Sequence, residues 1–408
     1  MISRNLCLRC RGTKHLCGLT YCPILVRSRV SERLMTVSRR VSIEGNSPPT
    51  VFLGWRGYPY IQVGPSLPPA KGDTEIFDYP EKWSELSLEE LLAMRLSLVR
   101  GVTRLKVTDT ESRVAMLLQE IALSEKPVGV ELVLKKPIRG GVELSEEVPP
   151  VGPGAPLRRV ILEDNPSFGR HVERVYYDRD LKADEAVVKL YRENIPVSRI
   201  QKIFSVGGLG KRRRRFVPTR WSITAVDDII SKSLIKQIKY LPELGSIEIF
   251  TLRKHDNLFV AILIPGQWSF EWMEAWFPGS TWNPKGPEVS IEADWEGVAG
   301  RTKYPDIGGC YYASRLPTAE YLLHEAKRKA TAVLYREIYE GFNLPIGVWF
   351  VRESIREMFS QRPIRVSSLE EVEKILSKVT RIPVEIWWRR SHILSRLKGM
   401  RSLYDYAQ

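Results

Sequence analysis

The chain has 408 residues, of which 43% are hydrophobic and 27% charged, and a formal net charge of +14. The composition is typical of a soluble globular protein, and the length exceeds what one hydrophobic core usually organises, so we expect two large domains. No stretch reaches the roughly 18 apolar residues of a membrane span, and the first residues lack the features of a secretory signal. We therefore expect a cytoplasmic protein with no membrane partner. The excess positive charge favours a polyanionic partner such as DNA.

Four of the five cysteines lie within the first 22 residues, at Cys7, Cys10, Cys17 and Cys22. In the cytosol, where thiols stay reduced, clustered cysteines bind metal more often than they form disulfides. Their C-x2-C-x6-C-x4-C spacing supplies the four thiolates that tetrahedral Zn²⁺ prefers, and in so short a segment metal binding and folding are one event. We predict a structural zinc knuckle, with redox or iron–sulfur chemistry as the alternative. Cys310 stands alone and is interpreted as a packed core thiol.

Periodicity and turn residues predict the remaining elements in chain order. We predict a helix or linker over 24–45, paired strands over 50–55 and 58–63, helices over 84–100 and 112–124, a strand over 128–134, a loop over 146–156, a helix over 184–194, two strands within 246–264, a long helix from about Thr318 to Glu340, and a last helix capped by Ser368 and Glu371. Strands and helices are mixed without strict alternation, which favours the α+β class.

The segment 204–228 carries the strongest indication of a ligand. Three glycines precede five consecutive cations and then an arginine–tryptophan pair: Gly207, Gly208, Gly210, Lys211, Arg212, Arg213, Arg214, Arg215, Arg220 and Trp221. Glycine allows backbone N–H groups to approach phosphate closely, and the spacing matches neither a Walker A loop nor a dinucleotide fingerprint. A cation beside an aromatic ring is typical of grooves that bind single strands. We predict nucleic-acid binding here, with a solvated charged loop as the alternative.

Asp227 and Asp228 follow this segment directly. Paired carboxylates near a basic loop can hold Mg²⁺ or Mn²⁺ for phosphoryl chemistry, so they are the candidates for catalysis if the protein is an enzyme. We favour the other interpretation, in which they begin the helix of IISKSLIKQI, where negative charge suits the helix dipole.

Trp268, Trp272 and Trp276 are spaced by four, so on a helix they would share one face. An aromatic core seam is the favoured interpretation, and a base-stacking platform is the alternative. Further along, acidic side chains alternate as on a strand face, and together with an arginine and a histidine they could build an active site. The residues are Glu292, Asp294, Glu296, Arg301 and His255. Sequence alone does not bring them together, and His324 and His392 are interpreted as structural.

Six segments together resemble the archaeal DNA repair protein Nre family, of the NreA type. They are LCLRCRGTKHLCGLTYCP, FLGWRGYPYIQVGP, SVGGLGKRRRRFVPTRWSITAVDD, IPGQWSFEWMEAWFPGSTW, GRTKYPDIGGCYYASRL and LPIGVWFVRES. The resemblance implies a role in the DNA damage response, a cytoplasmic archaeal protein, and a C4-type zinc finger at the four N-terminal cysteines. It implies no catalytic residues.

The resemblance also implies, as in many members, a C-terminal PIP box that docks on the sliding clamp PCNA. The motif falls on Met400, Leu403 and Tyr406. Met400 stands where the motif has glutamine, and Ala407 where it has a second aromatic residue. Any affinity for the clamp is therefore expected to be weakened. Without the resemblance, the tail reads as a short peptide for a partner's groove, or as a docked or disordered end.

Together these features predict a two-part α+β body with a small N-terminal zinc knuckle and a short C-terminal peptide tail. The expected divisions are the knuckle over 1–26, an Nre N-terminal domain over 27–265 that holds the basic loop 205–221, an Nre C-terminal domain over 266–397 and the PIP-like tail over 398–408. The expected function is a nucleoid-associated DNA repair factor. The alternatives are a metal-dependent enzyme on nucleic acid or nucleotide, and a repair scaffold that does not bind DNA.

Overall fold

The computed structural model describes residues 7, 10, 14, 16–19, 21–35, 40–68, 71–138, 145 and 147–397. Two six-stranded sheets, with helices packed on their faces, organise this part of the chain. Among the described helices, none has the length and apolar character that crossing a bilayer would require. The mixed architecture confirms the α+β class and the two-part body.

The first sheet has the strand order β1-β5-β6-β4-β3-β2. Its strands are β1 (Ser42–Ser47), β2 (Val51–Leu53), β3 (Tyr60–Leu67), β4 (Val99–Lys106), β5 (Val128–Leu134) and β6 (Gly154–Leu162). All neighbours are antiparallel except β4 and β6. The predicted pair β2–β3 and the predicted strand β5 are confirmed, whereas β1, β4 and β6 were not expected.

Six α-helices are described between residues 23 and 205, and the two that follow Ser87 and Ser112 begin where the serine side chain accepts from a backbone N–H of the first turn. The six are α1 (Pro23–Met35), α2 (Leu88–Leu96), α3 (Arg113–Leu123), α4 (Arg170–Tyr177), α5 (Ala183–Arg192) and α6 (Val197–Ser205). In α2, Ser87 accepts from the backbone N–H of Glu90, whose side chain accepts from Ser87 in return. This capping box fixes the start of the helix, as predicted. Its end at Leu96 is earlier than expected, because the chain turns directly into β4.

The second sheet has the order β10-β9-β11-β8-β7-β12. Its strands are β7 (Ile247–Lys254), β8 (Asn257–Pro265), β9 (Ser269–Trp276), β10 (Ser290–Glu296), β11 (Ala330–Ile338) and β12 (Ile364–Val366). The predicted hairpin β7–β8 is confirmed. His255 and Asp256 form its turn with φ of 46° and 54°, and two positive φ values in a two-residue turn match the twist of the flanking strands.

The long helix predicted from Thr318 to Glu340 is wrong. The chain instead forms α8 (Cys310–Glu320), a π-helical turn (Tyr321–Ala326) and the strand β11. Lys327 ends the helical part in the left-handed region, with φ of 51°. Strand β11 lies between β8 and β9, where both of its faces are buried, so its nearly continuous apolar residues also satisfied a helical pattern.

The tryptophan segment is a strand and not a helix, because Trp272 and Trp276 lie on β9 and Trp268 immediately precedes it. A spacing of four also places side chains on one face of a strand, whose period is two. All three indoles are buried in one hydrophobic cluster, as an aromatic core seam would be.

The remaining helices are α7 (Thr219–Ile238), α9 (Trp349–Phe359), α10 (Leu369–Leu376) and α11 (Val384–Arg390). One continuous apolar cluster contains residues of α2, of the helices α4 through α9 and of one face of the second sheet. Helices α10 and α11 cover the other face of that sheet. A smaller cluster lies between the first sheet and α3. The domain boundary predicted at 265/266 falls between β8 and β9 of a single sheet.

Candidate nucleic-acid interface

Four large aromatic side chains are exposed in one region of the surface. Trp55 and Tyr58 come from the turn between β2 and β3, Tyr60 is the first residue of β3, and Trp221 comes from the first turn of α7. Their exposed fractions are 40%, 51%, 46% and 42%. A group of exposed aromatic rings of this kind indicates a binding surface. We call residues 54–60 the aromatic turn.

The aromatic turn is fixed to α7 by two contacts. The backbone N–H of Leu53 donates to Oγ1 of Thr219 over 2.9 Å. The rings of Tyr58 and Trp221 pack with centroids 5.3 Å apart and planes inclined at 57°. Residues separated by more than 150 positions in sequence thus form one aromatic pair whose outer faces remain open to solvent.

Guanidinium groups lie against these rings. Arg220 lies 5.0 Å from the centroid of the Trp55 ring, and Arg56 lies 6.0 Å from the same ring. Arg104 lies 5.1 Å from the centroid of Tyr60. Such stacking stabilises a cation at the ring face and leaves part of its N–H fork available. Cations and aromatic planes therefore alternate across this surface.

The basic loop, residues 211–215, contributes four exposed side chains: Lys211, Arg212, Arg213 and Arg215. The fifth, Arg214, is buried, and it donates to the backbone carbonyls of Gly210 and Gly208 over 2.8 and 2.9 Å. Burial, followed by repulsion from Arg179, lowers the pKa of Arg214 to about 10, so it remains charged at neutral pH. Arg214 therefore holds the loop in shape, and the exposed four can meet a ligand.

The glycines before the basic loop end helix α6. Gly207 has φ of +69°, its N–H donates to the carbonyl of Phe204, and the N–H of Gly208 donates to that of Ile203. This bonding pattern is the Schellman motif, which needs a residue with positive φ just beyond the helix. The expectation that glycine amides cradle phosphate is therefore wrong for Gly207 and Gly208, whose N–H groups are already bonded. Gly210, with φ of +101°, supplies the carbonyl that Arg214 binds.

Two backbone hydrogen bonds connect the basic loop to the aromatic turn. The N–H of Phe216 donates to the carbonyl of Val107 over 2.8 Å, and the N–H of Val107 donates to that of Pro59 over 2.9 Å. The loop therefore lies beside the turn. We define the aromatic–basic surface as Trp55, Arg56, Tyr58, Tyr60, Arg104, Lys211, Arg212, Arg213, Arg215, Arg220 and Trp221. Sequence reasoning missed the turn residues, although aromatic residues beside the glycines of a turn were visible.

Asp227 and Asp228 do not begin a helix, because α7 starts at Thr219 and both lie in its interior. Asp227 is fully buried, and it accepts from Arg352 over 3.0 Å and from Gln201 over 2.8 Å. Asp228 pairs with Arg315 and with Lys232. Each carboxylate is thus bound by cations from the protein, and the pairs tie α7 to α8 and α9. Nothing in this geometry supports the alternative of a Mg²⁺ site at these two carboxylates, and the favoured interpretation as a helix start is wrong.

The acidic strand pattern is confirmed as β10, but its members have separate partners. Asp294 accepts from Arg301 over 2.8 Å, and Glu296 accepts from the buried Arg315 over 2.7 Å. His255 lies in the turn between β7 and β8, where its ring packs against Phe350. The structure therefore brings Asp294 and Arg301 together, as an ion pair on one edge of the sheet.

The N-terminal cysteines lie near α1 and are not joined by disulfides. Cys10 is buried, and the backbone N–H of Cys22 donates to Glu89 of α2 over 2.6 Å. Among the residues that the structure describes, no three side chains of histidine, cysteine, aspartate or glutamate converge on one point. Zinc therefore remains a prediction from the spacing of Cys7, Cys10, Cys17 and Cys22. The PIP-like residues Met400, Leu403 and Tyr406 lie outside the described residues.

The chain matches two family models, described as archaeal Nre, N-terminal, over residues 16–283 and archaeal Nre, C-terminal, over residues 296–406. It is 43% identical to the DNA repair protein NreB of Archaeoglobus fulgidus over 400 residues, which are 98% of this chain and 99% of that protein. It is 34% identical to the DNA repair protein NreA of the same organism over 98% of this chain and 99% of that protein. Identity to the DNA repair protein NreA of Haloferax volcanii is 33% over 90% of this chain and 89% of that protein. No solved structure matches the chain.

Proposed function

Because the chain belongs to the archaeal Nre family, we propose that it is a DNA repair factor that binds unpaired DNA strands through the aromatic–basic surface. The observation that carries the proposal is the exposed ring pair of Tyr58 and Trp221 beside the guanidinium groups that flank it. Nucleobases stack on such rings whatever their sequence, while cations follow the phosphodiester backbone.

The chemistry of the surface favours single strands over duplex. In a duplex the base faces are covered by their neighbours, so aromatic side chains have no free face on which to stack. Strand ends, gaps and damaged sites expose those faces. The exposed cations of the basic loop would meet phosphates of either form, and would give binding that weakens as salt rises.

The experiment is a titration of labelled DNA by fluorescence anisotropy, with single-stranded and duplex oligonucleotides at several salt concentrations. We expect Trp221→Ala to weaken single-strand binding by about fivefold to a hundredfold, since one stacked base contributes about 1–3 kcal/mol. The matched control is Trp295→Ala, which removes an equally exposed indole that lies on β10 and stacks on His392. Binding to neither DNA form at low salt would reject the proposal and favour a scaffold that does not touch DNA.

Two further parts of the proposal concern the ends of the chain. The four N-terminal thiols would hold a structural Zn²⁺. The tail over 398–408 would tether the protein weakly to the PCNA clamp through Leu403 and Tyr406, as the family resemblance implies. A peptide of the tail should bind PCNA more weakly than the same peptide carrying Met400→Gln and Ala407→Phe. No binding of the natural peptide even at high micromolar concentration would reject the tether.

A further inference from the structure

A cavity of about 300 Å³ opens into the second sheet beside the aromatic–basic surface. Its walls come from β9, β10 and β11, from the start of α8 and from the loop before α9. Its volume is at the lower end of the range for small-molecule sites, which suits one planar heterocycle. No residue of the aromatic–basic surface lines this cavity.

Aromatic side chains form much of the wall. Trp276, Phe342 and Phe350 are buried, and Trp282 stands at the opening with 47% of its surface exposed. The indole N–H of Trp276 is buried and has no hydrogen-bond acceptor among the described residues. A buried donor without an acceptor is unfavourable, so the hydrogen bonding of the wall at Trp276 is incomplete.

The polar part of the cavity is acidic. Glu274 is buried and accepts from the buried Arg336 over 3.2 Å, so the one guanidinium of the lining is already paired. Glu292 lies directly opposite Glu274 in the β9–β10 register, and Asp306 adds a third carboxylate to the lining. The ion pair with Arg336 offsets the charge of Glu274, so Glu292 and Asp306 give the lining its excess of negative charge.

An excess of carboxylates selects the ligand. It disfavours a phosphate, which carries negative charge, and it favours a neutral group that presents N–H donors. The exocyclic amino groups of cytosine, adenine and guanine are such donors, and carboxylates accept from the amino group of cytosine in protein–DNA complexes. A nucleobase whose phosphates remain outside the cavity would present N–H donors to the carboxylates without bringing negative charge near them.

The cavity is in direct contact with the residues that support the aromatic–basic surface. The N–H of Val348, in the cavity wall, donates to the carbonyl of Glu147 over 3.3 Å. The carboxylate of Glu147 pairs with Arg220, which stacks on Trp55. Gly309, also in the wall, approaches the same glutamate, since a Cβ at this position would lie 3.4 Å from its Cγ. The wall of the cavity and the aromatic–basic surface therefore share Glu147 as a common support.

We propose that this cavity receives a single amino-bearing nucleobase turned out of the strand that is held on the aromatic–basic surface. The proposal builds on the proposed function and specifies the part of the DNA that is recognised. Arg220 and the basic loop retain the sugar–phosphate chain outside. The base stacks among Trp276, Trp282 and Phe342, and its amino group donates to the carboxylates. Proteins that act on or inspect single bases extrude them in this way, at lowest cost where the base is unpaired or damaged.

The test is photocrosslinking with two single-stranded oligonucleotides that differ at one position, 5-iodo-dC or 5-iodo-dU. The two probes carry the same photoreactive atom and differ in the amino group. Crosslinked peptides are identified by mass spectrometry, and binding is measured in parallel by anisotropy. We expect crosslinks in the peptide that contains Trp276, with the 5-iodo-dC probe giving the higher yield. Trp282→Ala should reduce that yield several-fold, and Trp295→Ala should leave it unchanged.

The other outcomes separate the two proposals. Crosslinks confined to Trp55, Tyr58 and Trp221 would overturn the base cavity and leave the surface assignment intact. Equal yields from the two probes in the cavity would overturn the selection for an amino group. Absence of both binding and crosslinks would overturn the proposed function itself.

Discussion

The guanidinium of Arg352 on α9 lies 3.0 Å from the carboxylate of Asp227 on α7, and both side chains are almost fully buried. Removing one member of such a pair leaves the other charged and desolvated. We expect Arg352→Met to lower the free energy of unfolding by about 3–5 kcal/mol, measured by chemical denaturation. The matched control is Lys232→Met, which removes a half-exposed partner from the neighbouring Asp228 and should cost less than about 1 kcal/mol. Equal losses of unfolding free energy from the two substitutions would contradict the expected difference between a buried and a half-exposed ion pair.

Arg213 and Arg214 are adjacent in the basic loop but should behave differently. Arg214→Ala leaves the carbonyls of Gly208 and Gly210 without their donor, so the free energy of unfolding should fall by about 1–3 kcal/mol. Arg213→Ala should leave stability within about 0.5 kcal/mol and reduce the log–log salt slope of single-strand binding by about 0.7. Thermal unfolding and salt titrations of both variants are the measurements. A salt slope unaffected by Arg213→Ala would remove this residue from the interface.

Asp78 should make the protein sensitive to acid. Burial alone would raise its pKa, but Lys202 at 3.0 Å and Arg95 at 2.7 Å outweigh it and hold the pKa of Asp78 below its usual value. A carboxyl with a depressed pKa contributes stability above its unfolded pKa of about 3.9, and that contribution is lost as the pH falls through the folded value.

We therefore expect wild-type stability to fall as the pH is lowered below about 5, and Asp78→Asn to be less stable at neutral pH with a flatter acid dependence. Denaturant unfolding at a series of pH values provides the measurement. Asp73→Asn, at an exposed position in the same segment, should retain the wild-type profile. An Asp78→Asn profile as steep as that of the wild type would show that other carboxyls dominate acid unfolding.

Metal content tests the N-terminal cysteines. We expect about one Zn²⁺ per purified chain by plasma mass spectrometry, as four thiolates would bind. Cys10→Ser and Cys22→Ser should each reduce the zinc content, while Cys310→Ser, which changes the buried thiol at the start of α8, should not. Zinc-free protein that takes up none when refolded with Zn²⁺ would reject the prediction.

Local signals predicted the elements that depend on few neighbours. The capping boxes at Ser87 and Ser368 fix the starts of α2 and α10 through contacts within four residues, and both starts are confirmed. Strand β11 was mistaken for a helix because its apolar pattern reflects burial between two neighbouring strands, which the chain segment itself does not reveal. Propensity and periodicity are overridden where tertiary burial covers both faces of an element.

The interface could be predicted only in part, for a similar reason. Arg220 and Trp221 were identified from their residue types, and both lie on the aromatic–basic surface. Their partners Trp55 and Tyr58 come from a turn more than 150 residues earlier, and only the folded chain brings them together. Arg214 was predicted to bind nucleic acid like its neighbours, because sequence does not distinguish a buried guanidinium from an exposed one.

The large hydrophobic cluster between the second sheet and the helices α2 and α4 through α9 has an evolutionary consequence. It contains residues from both matched segments, including Leu92 and Ile223 from the first and Tyr311 and Phe350 from the second. A gene divided between the two segments would encode two products, each with half of an apolar interior in contact with water. We expect the two segments to be inherited as one reading frame, and neither to occur as a module shuffled into unrelated proteins.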